Sequence, residues 1–87
     1  MTIIRKKIIV NSKQGLHARP AAVFVQVANK FDAKVTVIRD GEKVNGKSIM
    51  GILMLGAEKG SFIEIEAEGK DALRAIEELE KLITAEE

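Results

Sequence analysis

The chain has no cysteine, no tryptophan and no tyrosine, and only one proline and one histidine among its 87 residues. Without a thiol there can be no disulfide, iron–sulfur cluster, thiolate zinc site or cysteine nucleophile. A single imidazole leaves carboxylates to supply every other ligand of any metal, so no metal and no cofactor are expected. Long hydrophobic runs are also missing: nothing approaches the roughly 18 apolar residues that a membrane span needs, which argues against membrane insertion. The N-terminal Met-Thr-Ile-Ile-Arg-Lys-Lys-Ile orders apolar and basic residues against the pattern of a secretory signal, and no small-residue cleavage site follows, so the cytoplasm is the expected location. Nor is one sign of charge in excess. The 14 basic and 13 acidic residues leave a net charge of +1, without the broad basic field of a general nucleic-acid binder. The three phenylalanines are absent from the first two strand-like segments, which leaves no stacking platform there for RNA.

What is present suits one small α+β fold. Apolar residues make up 46% and charged residues 31% of the chain, and a chain this short buries roughly 60–65% of its unfolded surface around one modest core, so a single domain over residues 1–87 is expected. Residues 3–10 alternate, with Ile8 and Val10 on the more apolar side. Between Arg19 and Asn29, Ala21, Phe24, Val25 and Ala28 recur at helical spacing, with Pro20 in the first turn and His17 or Ala18 near the N-cap. Lys34 to Arg39 alternates again, and Asp40-Gly41 favours a two-residue type I′ turn returning along residues 42–45. Ser48 precedes a short helix from Ile49 to Leu55 that ends near Gly56. Ser61 to Ala67 sets Ile63, Ile65 and Ala67 on one side, and Asp71 opens a last helix with Leu73, Ile76, Leu79 and Ile83 inward. The final Ala85-Glu86-Glu87 is expected to fray. The order βαββαβα predicts an open-faced β-sandwich: a four-stranded antiparallel sheet with three helices on one face and solvent on the other.

The chemistry gathers in Gln14-Gly15-Leu16-His17-Ala18-Arg19-Pro20-Ala21-Ala22. A neutral imidazole is a nucleophile for phosphorus. At a helix start, a phosphate on His17 would meet the unpaired N–H groups of the first turn, including that of Ala18. The planar guanidinium of Arg19 matches phosphate oxygens better than a lysine does. Leu16 and the alanines are apolar, and no neighbouring carboxylate completes a hydrolytic triad. The bland alternative is a histidine that merely occupies the N-cap region. A second motif misleads: Gly41-Glu42-Lys43-Val44-Asn45-Gly46-Lys47-Ser48 satisfies the ATP-binding pattern G-x-x-x-x-G-K-[ST]. Yet a hairpin at Asp40-Gly41 that pairs Val44 back cannot also wrap an anion, and no aspartate-terminated apolar run is present to hold magnesium. That leaves Ser48 as an N-cap.

Gly15-Leu16-His17-Ala18-Arg19-Pro20-Ala21 resembles the active-site signature of the HPr family, the histidine-containing phosphocarriers of the bacterial phosphoenolpyruvate-dependent sugar phosphotransferase system. Lys47-Ser48-Ile49-Met50-Gly51 resembles that family's second signature, and Leu55-Gly56 and Lys59-Gly60 recur at matching offsets. The resemblance implies a monomeric phosphocarrier, not an enzyme. In it, His17 takes a phosphoryl group from phosphorylated enzyme I onto Nδ1 and passes it to the IIA component of a sugar transporter, with Arg19 and the Ala18 amide region steadying it. It implies that Ser48 is phosphorylated by an ATP-dependent HPr kinase/phosphorylase. It further implies that Ile49 and Met50 belong to the surface used by enzyme I, the IIA domains and a catabolite-control regulator that binds the serine-phosphorylated form; Leu16, Pro20, Ala22, Lys47 and Leu53 are expected to join that partner-binding surface, the alternative for Ile49, Met50 and above all Leu53 being a place in the core. A regulatory relative, Crh, is similar but has lost the active histidine, so His17 separates a carrier from a purely regulatory binding module.

Overall fold

The structure is a computed structural model that describes residues 2–85; Met1, Glu86 and Glu87, and with them most of the tail expected to fray, lie outside the described residues. The elements follow the expected order: β1 (Ile3–Ile9), α1 (Ala18–Ala28), β2 (Lys34–Arg39), β3 (Glu42–Asn45), α2 (Ile49–Leu55), β4 (Phe62–Glu68) and α3 (Ala72–Thr84). The strands form one antiparallel sheet in the order β1-β4-β2-β3. This is the open-faced β-sandwich that the hydrophobic pattern implies.

Alternation decides which face each strand buries. Ile8 of β1, Val35 and Val37 of β2, and Ile63 and Ile65 of β4 turn inward, and Ala21, Phe24, Ile52, Ile76, Leu79 and Ile83 of the three helices close over them. Each such large side chain removed from water contributes about 1.5–3 kcal/mol before chain entropy is set against it. Lys6 lies on the same side of β1 as Ile8, and it is accommodated because its ammonium reaches Glu80 of α3 at 2.7 Å. On the opposite, wet face Arg5 meets Glu66 at 2.8 Å, and the paired carboxylate raises the guanidinium's pKa.

Two expectations need correction. Leu73 does not point inward: it is 55% exposed, and Ala72 and Ala75 are the buried residues of the first turn of α3. The small alanines let the helix approach the sheet, which rotates Leu73 out to solvent. The first helix begins at Ala18, one residue before the Arg19 start expected from the apolar period, while its N-cap is His17, one of the two positions expected for it.

The stretch resembling an ATP-binding loop is a hairpin. Arg39 pairs with Glu42 and Val37 with Val44. The two turn residues, Asp40 and Gly41, have φ of 50° and 82°, the positive pair that a type I′ turn demands. Asp71, the N-cap of α3, makes no side-chain cap of its own helix. Its carboxylate instead accepts hydrogen bonds from the Asp32 and Ala33 amides, both at 2.9 Å, across the connection from α1 to β2. The Asp32 bond is the chief reason that its pKa lies below the ordinary carboxylate value, with the Ala33 bond and nearby Arg74 acting in the same sense and desolvation opposing.

Candidate functional site

The loop before α1 is drawn tight by the residues around Gly15. The Ser12 hydroxyl, the one buried polar side chain among the described residues, donates to the Gly15 carbonyl at 3.0 Å, and the Leu16 amide donates to the Ala57 carbonyl at 2.8 Å. Gly15 has φ of 63°, and a Cβ there would stand 2.5 Å from the Ala57 oxygen and 2.8 Å from the Glu58 Cα. Only glycine takes this conformation at that separation without strain. The consequence is a chain that runs straight from the core into the helix start and leaves His17 outside.

His17 is exposed, its backbone is extended (φ −108°, ψ 161°), and its side chain makes no capping hydrogen bond. Nothing acidic occupies the first turn of α1. Of the first-turn groups, Pro20 has no N–H, and the Ala21 amide donates to the His17 carbonyl at 3.3 Å. That leaves the Ala18 and Arg19 amides as the orphan donors of the helix end. Ala18 has φ of 35°, a left-handed value that costs a non-glycine residue about 1–2 kcal/mol and is held by the clamped loop on one side and the helix on the other. Arg19 is exposed, and no carboxylate of the described residues pairs with it. A cleft of about 540 Å³ opens beside it, lined by Lys13, Leu16, Arg19, Pro20, Val23 and Leu82 among others. Among the described residues, two cations and no acid line that opening.

Leu16, expected on the partner-binding surface, is not there. It is 2% exposed and belongs to the core, because the bond from its amide to Ala57 pulls the side chain beneath the helix. Its role is to floor the cleft and fix its neighbour. Pro20 and Ala22 are half-buried on α1.

The second motif lies at the other end of a helix pair. Ser48 Oγ accepts from the Gly51 amide at 3.2 Å and so caps α2, while Gly56 ends that helix in a left-handed conformation. Arg39 reaches over from β2 to donate to the Leu55 carbonyl at 2.9 Å. At its start, α2 is tied to the far end of α1. Asn29 Nδ2 donates to the Lys47 carbonyl at 3.4 Å, and Lys47 Nζ donates to the Phe31 carbonyl at 2.6 Å. Since the end of α2 is joined to the Leu16 loop and its start to Asn29, α1 and α2 run antiparallel, with His17 and Ser48 at opposite ends. Lys47 is therefore not a free cation for partners, because its ammonium is committed to Phe31.

Between these ends α2 shows solvent an apolar row. Ile49, Met50 and Leu53 are exposed, with Met50 at 67%, and Met54 is the most exposed of all at 74%. Met54 escaped the sequence reading, although its spacing of four from Met50 places both on one helical face. Scattered exposed apolar residues are ordinary, but here four stand together on one short helix, two of them methionines, whose unbranched side chains repack easily.

Comparison with known proteins fits this architecture. Residues 4–85 match the family described as "PTS HPr component phosphorylation site". The chain belongs to this family of phosphocarriers, whose members carry a phosphoryl group and are not enzymes. It is 42% identical over 80 residues to the phosphocarrier protein HPr of Treponema pallidum, covering 92% of this chain and 91% of that one. The crystal structure of an HPr from Bacillus anthracis superposes with a TM-score of 0.93 at 47% identity, covering 95% and 99% of the two chains. A structure of the Bacillus subtilis protein Crh, described as a dimer with a swapping domain, matches with a TM-score of 0.75 at 44% identity and 92% coverage of each chain.

Proposed function

We propose that this chain is a cytoplasmic phosphocarrier of a phosphoenolpyruvate-dependent sugar phosphotransferase system, with His17 as the acceptor and Ser48 as a regulatory site. The observation that carries the proposal is the sole histidine of the chain standing exposed at a helix start that has neither a side-chain cap nor an acid. The lone pair of His17 Nδ1 attacks phosphorus of phosphorylated enzyme I. The bond from phosphorus to the donor breaks, and its electron pair stays with the donor. The Ala18 and Arg19 amides and the Arg19 guanidinium hold the equatorial oxygens, which is most of what a loose phosphoryl transfer asks of a protein. Reversal of the same step on a IIA domain discharges the carrier. No aspartate or glutamate stands in the first turn to position water, so the group awaits a partner. The row Ile49, Met50, Leu53 and Met54, continued by Pro20 and Ala22, docks those partners in turn.

Ser48 is the target of an HPr kinase/phosphorylase, and a phosphate of about −1.5 to −2 charges at the head of the apolar row remakes that surface for a catabolite-control regulator. A purely regulatory role, without transfer through histidine, is the reading that similarity to Crh brings forward, and the presence of His17 favours the carrier. Incubation with phosphoenolpyruvate and enzyme I should add one acid-labile, base-stable phosphate to the wild type and none to His17→Ala; an unlabelled wild type would leave only the regulatory reading. Incubation with HPr kinase and ATP should add an acid-stable phosphate that Ser48→Ala abolishes, and equal labelling of that variant would remove Ser48 from the proposal.

A further inference from the structure

The sheet has two edges, β3 and β1. The first is only four residues long, whereas β1 offers seven. The direction of each main-chain group of β1 can be read from its ends. Gly69 N donates to Thr2 O at 2.9 Å, and Val10 N donates to Ser61 O at 2.8 Å. In an antiparallel ladder hydrogen-bonded pairs alternate with unbonded ones, so the even residues of β1 face β4. Ile3, Arg5, Lys7 and Ile9 therefore aim N–H and C=O outward, away from the sheet. The same four residues are exposed on the open face, with Ile3 at 57% and Ile9 at 45%. They form a column that is apolar at both ends and cationic in the middle.

Edges of this kind template pairing with another strand, and lysines on them are a common defence. Here the defence is selective. If a second copy paired its β1 antiparallel about a two-fold axis within the strand, Arg5 would face Arg5, Arg5 would face Lys7, or Lys7 would face Lys7, according to register. Each places cation opposite cation, which is destabilising. An acidic strand meets the reverse situation, as β4 demonstrates from inside the sheet: Glu66 stands opposite Arg5, Glu64 opposite Lys7 and Phe62 opposite Ile9. Among the described residues, the two cations are thus flanked by carboxylates on one side only.

We propose that the free edge of β1 is a docking site for an extended acidic segment of a partner protein, added antiparallel as a fifth strand. Its pattern on the open face is apolar, acidic, acidic, apolar at alternate positions, opposite Ile9, Lys7, Arg5 and Ile3. Main-chain bonds to the four outward residues provide attachment, and the two charge pairs provide register and choice of partner. The site lies on the opposite layer from His17 and the α2 row, so its occupation leaves the proposed phosphoryl chemistry free to proceed.

The test is an NMR titration of the whole chain with a synthetic peptide of that pattern, with a lysine-for-glutamate copy as the control. The acidic peptide should slow amide exchange at Arg5, Lys7 and Ile9 and leave Lys6 and Ile8, already paired, little changed. Affinity should fall at least about tenfold between low and 0.5 M salt, and the lysine copy should not bind. Lys7→Pro removes an outward N–H but no ladder bond, a substitution that edge strands tolerate, so it should abolish binding while still accepting phosphate on His17. Protection without the odd–even alternation, equal binding of both peptides, or no binding would overturn the proposal, and these readouts on the wild type decide the matter even if Lys7→Pro fails to fold.

Discussion

The starts of α1 and α2 are built from the same parts and finished differently. Each has an N-cap residue in extended conformation, yet Ser48 turns its hydroxyl onto the Gly51 amide while His17 caps nothing. At Ser48 the orphan donors of the helix end are served from within, which stabilises the fold. At His17 no side chain of the described residues serves them, and the fold forgoes that stabilisation. The loop behind His17 compensates through Ser12, Gly15 and the Leu16–Ala57 bond, which hold the helix start in place without using the imidazole. On the proposed function, a site that receives and releases a charged group is in this way supported from behind and left uncapped in front.

The contrast can be broken most severely from behind. Gly15→Ala forces a side chain against the Ala57 carbonyl and the Glu58 backbone and should cost about 2–3 kcal/mol in denaturant unfolding. Phosphate acceptance should fall with it although His17 is untouched; full acceptance with native stability would mean that the clamp does not position the site. A smaller effect sharpens the contrast. Ser48→Ala should lose about 1 kcal/mol, the usual worth of a cap, while His17→Ala stays within about 0.5 kcal/mol of the wild type. Equal losses would show that the two helix starts do not differ as described.

The third helix start gives the mildest effect. The Asp71 carboxylate is stabilised as an anion by the Asp32 and Ala33 amides, so its pKa is lower folded than unfolded. Its contribution is complete above the unfolded value and disappears as pH falls through the folded one. Asp71→Asn should therefore be less stable than the wild type at neutral pH, and the gap should close below about pH 4. A gap that persists unchanged in acid would remove the carboxylate charge from the explanation.

The motif reading located His17, Arg19 and Ser48 because helix ends are written locally: Pro20 can stand only in a first turn, and a serine before an apolar run is a cap. Asp40-Gly41 similarly identified the hairpin and disposed of the ATP-binding pattern. Leu16 and Lys47 were misplaced because what holds each of them, the Ala57 carbonyl for one and the Phe31 carbonyl for the other, is distant in the chain. Leu73 was misplaced for a related reason. Periodicity identifies an apolar face, but the depth to which it sinks depends on the partner element.

The order of elements, the apolar sides of β1 and β4 and the N-cap positions of α1 and α2 were thus determined by the sequence alone, since each follows from spacing or from chemistry within a few residues. Tertiary structure decided the rest: the antiparallel setting of α1 against α2, the apolar row completed by Met54, and the outward-facing edge of β1. These depend on contacts between segments far apart in the chain, where a long-range hydrogen bond or a packed neighbour selects among orientations that local preference leaves nearly equal.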